Sequence, residues 1–83
     1  MEFEPQAEAD ITFWIRNNKL IAKKIHRLLE DIEKTPFYGL GKPEPLKYEY
    51  SGCWSRRINE EHRLVYRQEN DTIIILSCRY YYD

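Results

Sequence analysis

The chain changes its hydrophobic period at a loop rich in glycine and proline, and this change constrains its fold more than any other feature. The loop, Phe37 to Pro45, holds two of the three glycines and two of the four prolines. Before the loop, apolar residues recur at the spacing of a helix, and after it they follow short strand-like runs. This order of elements predicts an α+β domain with two N-terminal helices packed on a twisted antiparallel sheet.

Two helices are predicted before the loop, preceded by a short strand at Met1 to Glu4. The first begins near Pro5, because a proline fits the first helical turn, and Asn17-Asn18 end it. The second runs from Lys19 to Lys34 and ends at Thr35-Pro36. The apolar stripes that predict these helices are Ala7, Ile11, Trp14 and Ile15 in the first, and Ile21, Ile25, Leu28, Leu29 and Ile32 in the second.

Four strands in meander order are predicted after the loop, because short polar turns separate the runs. The predicted strands are Leu46 to Tyr50, Trp54 to Ile58, His62 to Gln68 and Thr72 to Tyr80. The stretch Thr72 to Leu76 is apolar on both faces, which indicates a strand near the centre of the sheet.

The length of 83 residues predicts a single domain, residues 1–83. So small a core leaves thin stability, and a partner subunit or binding protein is therefore expected. Two cysteines are too few for a disulfide framework, and no leader or membrane-spanning run is visible. We therefore expect a cytoplasmic protein that does not associate with membranes.

The formal net charge of −1 conceals an uneven distribution. Four acidic residues precede the first basic residue, Arg16, whereas residues 42–67 carry six basic and four acidic residues. The local excess is a weak footprint of nucleic-acid binding, and a solvated mixed surface explains it equally well. The basic residues of the second helix can likewise contact RNA or form an ordinary solvated helix face, and the solvated face is the more common explanation. They are Lys19, Lys23, Lys24 and Arg27.

The sequence lacks the residue patterns of three common kinds of site: metal centres, phosphate-binding loops and serine nucleophiles. His26 and His62 lie far apart in the sequence with no carboxylate at ligand spacing, so neither a metal nor another cofactor is expected. The two glycines of the loop precede a strand broken by prolines, which differs from a phosphate-binding loop. No serine stands in a recognisable motif with a histidine.

The remaining polar residues suit a phosphodiester. RNA is cut without a metal when its 2′-OH attacks the adjacent phosphate, which needs a base, cations and a proton donor. Glu44 is the candidate base, because Pro43 and Pro45 stiffen its backbone; the alternative is an ordinary surface glutamate. The period of two places Arg63 on the opposite strand face from His62, so Arg63 is the site candidate and His62 the core candidate.

The aromatic residues give weaker indications of a functional site. Trp54 is assigned to the core rather than to base stacking. Tyr80, Tyr81 and Tyr82 cannot all be buried, because the faces of a strand alternate. At least one of these tyrosines therefore faces a site or a partner.

Several stretches together closely resemble the YoeB/Txe toxins, which are mRNA interferases of the RelE superfamily and the toxin halves of bacterial toxin–antitoxin modules. They are Thr35-Pro36-Phe37, Gly39 to Lys47, Ser51-Gly52, Trp54 to Ile58 and Glu61 to Tyr66. The likeness extends to Lys23-Lys24-Ile25 and to Cys78-Arg79-Tyr80, and so covers nearly the whole chain.

The resemblance implies a microbial RNase fold of the RelE type, usually homodimeric, that enters the ribosomal A site and cuts mRNA there. It also implies a YefM-like antitoxin as partner. By position, it implies that Glu44 is the general base and Arg63 the phosphate-binding arginine, with Arg57 and Lys47 as supporting cations.

The chain departs from the family at its end. The family usually finishes with His-Tyr, whereas this chain reads Tyr81-Tyr82-Asp83. Tyr81 occupies the place of the expected general acid; it can fill that role or only pack, or Tyr82 can replace it. The retained Glu44 and Arg63 favour an enzyme. The missing histidine favours a weakened relative that binds ribosome or antitoxin, and a generic RNA-binding domain is a third reading.

Overall fold

The computed structural model describes residues 1–80 and confirms the predicted α+β architecture. Its helices are α1 (Pro5–Asn17) and α2 (Lys19–Lys34). Its strands are β1 (Glu2–Phe3), β2 (Glu44–Pro45), β3 (Cys53–Arg57), β4 (Arg63–Glu69) and β5 (Thr72–Ser77). The side-chain oxygen of Asn18 accepts hydrogen bonds of 3.2 Å from the N–H groups of Leu20 and Ile21, and so caps α2.

The five strands form one sheet in the order β1-β5-β4-β3-β2. Strands β2 to β5 are antiparallel neighbours, which confirms the meander, and β1 pairs in parallel with β5. Strand β5 is interior, as its composition predicts. Ile73 and Ile75 are buried, whereas Ile74 and Leu76 alternate with them and are half-buried.

The predicted strand over Leu46 to Tyr50 is wrong. A shorter strand, β2, precedes it, and a 3₁₀ turn occupies Tyr48–Tyr50. The ladder ends where the Leu46 N–H donates to the Cys53 carbonyl at 2.9 Å. Tyr48 then adopts a φ of +57°, a left-handed conformation that interrupts an extended chain.

The two helices cover one face of the sheet. The buried cluster joins apolar residues of both helices to alternate residues of β4 and β5; its members include Ala7, Trp14, Ile25, Leu28, Ile32, Leu64, Tyr66, Ile73 and Ile75. Trp54 packs against this cluster, which confirms its assignment to the core. Within residues 1–80, the structure has no helix with the length and apolarity needed to span a membrane.

Candidate functional site

Three of the predicted site residues share the sheet face that points away from the helices. Glu44 in β2 is paired with Ser55 in β3, and Arg57, two residues further along β3, is paired with Arg63 in β4. Paired residues of antiparallel strands project to the same side, as do residues two apart in one strand. The opposite side carries Leu64 and Tyr66, which belong to the core.

The pairing register sets the scale of this face. Adjacent strands lie roughly 5 Å apart, and two residues along a strand span roughly 7 Å. The backbone of Glu44 is therefore about 8 Å from that of Arg57 and about 12 Å from that of Arg63. Separations of this size are within the combined reach of a glutamate and an arginine side chain.

Arg63 is 7% exposed and fixed by the turn that precedes its strand. Its Nη1 donates to the carbonyl oxygens of Asn59 (2.7 Å), His62 (3.2 Å) and Glu60 (3.4 Å). These contacts hold the guanidinium in one orientation. A cation fixed in this way can stabilise developing charge without reorganising during a reaction.

Glu44, Arg57 and Lys47 are exposed. Glu44 lies on an edge strand, where the missing N–H of Pro45 costs no ladder bond. Lys47 follows β2 and immediately precedes the 3₁₀ turn. Lys47 therefore lies near the connection between β2 and β3, whereas the pair Arg57–Arg63 lies at the other end of β3, next to the turn between β3 and β4.

Arg56, to which the sequence analysis gave no role, is completely buried and organises the loop before Glu44. Its guanidinium makes five hydrogen bonds. Nη1 donates to Asp31 Oδ2 (2.5 Å) and the Leu40 carbonyl (3.1 Å), Nη2 to the carbonyls of Thr35 (2.5 Å) and Tyr38 (3.1 Å), and Nε to the Tyr66 hydroxyl (3.1 Å). We call this group the Arg56 network.

The Arg56 network ties residues 35–40 to the sheet. The Tyr66 hydroxyl extends it by donating to the Pro36 carbonyl at 2.6 Å. Gly39 is required beside it, because its φ is +123° and a Cβ would lie 2.2 Å from Asp31 Oδ2. The sequence contains one sign of this burial. The two-residue period of β3 places Arg56 on the same face as Trp54, which is assigned to the core, and a charged group buried there needs hydrogen-bond partners.

Two pKa shifts reflect this network. The Leu40 N–H, bonded at 2.9 Å, and then the Arg56 guanidinium hold the pKa of the Asp31 carboxyl below its usual range. Burial raises the pKa of the Tyr66 phenol, which stays a neutral donor. The network thus contains one buried cation and one carboxylate, and the other acceptors are neutral.

The segment after β5 is held against α1. The Cys78 N–H donates to Asp10 Oδ2 (2.9 Å), and Trp14 Nε1 donates to the Cys78 carbonyl (2.8 Å). Burial and the Asp10 carboxylate raise the pKa of the Cys78 thiol to about 12, so it stays protonated. Both cysteines are free and buried, as expected for packing residues.

Tyr80 attaches the same segment to the start of β4. Its N–H donates to His62 Nδ1 at 2.8 Å, and its carbonyl accepts from the Arg63 N–H at 2.9 Å. His62 is half-buried, and its ring also packs edge-on against Trp14, with ring centroids 4.8 Å apart. Two further predicted site residues, Tyr81 and Tyr82, lie outside the described residues.

The described face can therefore supply a carboxylate base and two cations. Across residues 1–80, no three histidine, cysteine or acidic side chains are grouped so that they could hold a metal ion. A carboxylate on the same sheet face as a pair of arginines is suited to proton transfer next to a phosphate group.

Comparison with known proteins places these observations in a family. A family model described as the YoeB-like toxin of bacterial type II toxin–antitoxin systems matches residues 3–82. Toxin YoeB of Escherichia coli K12 is 55% identical over 73 residues, covering 88% of this chain and 87% of the relative. Toxin YoeB of Mycobacterium bovis is 49% identical over 82 residues, covering 99% and 96%.

Solved structures of similar proteins have the same fold. A YoeB/ParE toxin from Agrobacterium tumefaciens superposes with a TM-score of 0.93 at 41% identity, covering 98% of this chain and 96% of that one. The YoeB–YefM complex from Staphylococcus aureus gives 0.90 at 48% identity, and the YoeB dimer from the same species gives 0.89 at 46%. Each of these two covers 98% of this chain and 94% of the other.

Proposed function

Because the chain belongs to the YoeB-like toxin family of bacterial type II toxin–antitoxin systems, we propose that it is a ribosome-dependent mRNA endoribonuclease. It cuts mRNA in the ribosomal A site by general acid–base catalysis and needs neither a metal nor another cofactor. The site is the sheet face that carries Glu44, Arg57 and Arg63.

In this mechanism Glu44 accepts the proton of a ribose 2′-OH. The 2′ oxygen attacks the adjacent phosphorus, and Arg63 and Arg57 stabilise the negative charge that develops on the non-bridging oxygens. The bond to the 5′ oxygen breaks, and that oxygen takes a proton from the general acid, for which Tyr81 is the candidate. The products are a 2′,3′-cyclic phosphate and a 5′-hydroxyl end. Lys47 and Tyr82 contact the substrate strand.

The observation that carries this proposal is the cross-strand pair Arg57–Arg63 on the same face as Glu44. Two arginines on the same sheet face as a carboxylate can bind an anionic ligand and allow a proton transfer beside it. A phosphodiester is such a ligand.

The proposal includes partners. The dimer and the YoeB–YefM complex among the similar structures support a homodimer that binds a YefM-like antitoxin. The other partners are the ribosome and mRNA, and the location is the cytoplasm.

A second candidate function rests on one observation, the tyrosine at position 81 where the family carries histidine. A phenol is a weaker acid than an imidazolium and drives protonation of the leaving oxygen less well. On this reading the chain is a catalytically weakened relative that binds ribosome or antitoxin as a module.

Primer extension on an mRNA translated with and without the protein tests both candidates. Wild type should produce discrete cuts, and Glu44→Gln should lower the cleavage rate by about 10²-fold or more, the usual effect of losing a general base. Glu49→Gln, which changes an exposed acid in the next connection, is the matched control and should cut like wild type. Ribosome binding without cleavage by wild type would favour the binding module.

A further inference from the structure

A groove next to the candidate site carries a second cluster of cations. It has a volume of about 440 Å³ and lies between α2 and the turn joining β3 to β4. Its charged lining residues are Lys24, Lys42, Arg57 and Glu60. Three of these four residues are cationic, so the groove favours an anionic ligand.

Lys42 is held in this groove at a conformational cost. Its φ is +50°, in the left-handed region that a lysine rarely adopts. The preceding Gly41 accepts a hydrogen bond of 2.7 Å from the Arg57 N–H, and a Cβ at Gly41 would lie 3.0 Å from the Arg57 carbonyl oxygen. Glycine therefore permits the close approach that places Lys42 beside Arg57. Strain of this kind concentrates at functional sites.

Arg57 connects the groove to the candidate site. It lines the groove and is also the cross-strand partner of Arg63. Lys24 closes the groove from α2 and is half-buried, whereas the neighbouring Lys23 is exposed and does not line it. An RNA strand that places one phosphate between Arg57 and Arg63 can therefore place a flanking phosphate in the groove.

We propose that this groove is a second phosphate subsite, which binds the backbone of the single-stranded RNA next to the cleaved bond through Lys24, Lys42 and Arg57. The inference rests on the proposed function, because it takes RNA as the ligand. It concerns backbone binding, which is independent of base identity.

Binding of a short fluorescein-labelled single-stranded RNA, measured by anisotropy over a series of salt concentrations, tests the subsite. All variants carry Glu44→Gln so that the RNA stays intact. Lys24→Ala and Lys42→Gly should each reduce the slope of log affinity against log salt by about 0.7, which at 0.1 M salt is about a fivefold loss of affinity. Two RNAs of unrelated sequence should give the same change.

Three further variants sharpen this test. Lys42→Arg keeps the charge and should bind like the parent, Lys23→Ala should leave the slope unchanged, and Glu60→Gln removes the opposing carboxylate and should tighten binding. Lys42→Gly also relieves the left-handed strain, so its melting temperature should equal or exceed that of the parent. Weaker RNA binding by a protein of undiminished stability supports the subsite.

Unchanged affinity and slope in both Lys24→Ala and Lys42→Gly would overturn the inference, as would an equal loss in Lys23→Ala. An effect on ribosome binding alone, with RNA binding unchanged, would also overturn it. These outcomes are separate from the proposed catalytic function, because the assay requires no cleavage. A wild type that cuts mRNA while Lys42→Gly binds RNA normally would leave the nuclease in place without the subsite.

Discussion

Replacing Arg56 by lysine should destabilise the protein strongly although it preserves the charge. The buried guanidinium makes five hydrogen bonds in a fixed fork. A lysine ammonium has three donors and no fork, so at least two acceptors lose their donor. Hydrogen bonds from charged groups contribute about 1.5–3 kcal/mol each, and the expected loss in free energy of unfolding is therefore about 3 kcal/mol. In a domain of this size, that corresponds to a fall of roughly 15 °C in melting temperature.

Urea and thermal unfolding followed by circular dichroism measure this loss, in a Glu44→Gln background if the active protein harms its host. Arg57→Lys is the matched control, because it makes the same chemical change at the next, exposed position. Its effect should stay within about 0.5 kcal/mol. Asp31→Asn combined with Arg56→Lys should be non-additive, since the two side chains are in contact.

A change of less than about 0.5 kcal/mol in Arg56→Lys would refute the argument that the fork is needed. Additivity with Asp31→Asn would show that the ion pair makes no separate contribution. Equal losses in Arg56→Lys and Arg57→Lys would mean that the substitution acts through strand propensity and not through the buried network.

The other predictions concern acid stability and the catalytic groups. Because the Leu40 N–H and Arg56 lower the pKa of Asp31, its carboxylate stabilises the fold above about pH 4, and this contribution is lost as the pH falls through the lowered value. The gap in unfolding free energy between wild type and Asp31→Asn should be constant from about pH 5 to 7 and shrink below about pH 4; a gap that widens in acid would contradict the shift. Arg63→Ala should lower the single-turnover cleavage rate by about 10²- to 10³-fold and ribosome binding far less, whereas equal losses would assign Arg63 to positioning. Tyr81→Phe should slow cleavage and Tyr81→His restore it with a pH dependence near neutrality; an unchanged rate in Tyr81→Phe would remove that residue from the mechanism.

Much of the candidate site could be predicted from residue chemistry and spacing. The period of two in β4 separates Arg63 from His62, and in the structure the half-buried His62 packs against Trp14 while Arg63 pairs with Arg57 on the opposite face. The grouping of Glu44 with these arginines depends on the pairing of β2 with β3. That pairing joins residues that are distant in sequence, so no local pattern contains it.

Both helices follow from the sequence alone, because side chains at helical spacing and a capping asparagine act within a few residues of each other. The meander follows as well, since short turns force neighbouring strands to pair. Tertiary structure alone decided the parallel pairing of β1 with β5, the left-handed turn at Tyr48 and the convergence of five acceptors on Arg56. A buried arginine is stable only where acceptors from a helix, a loop and another strand converge on it, and that convergence exists only after the chain has folded.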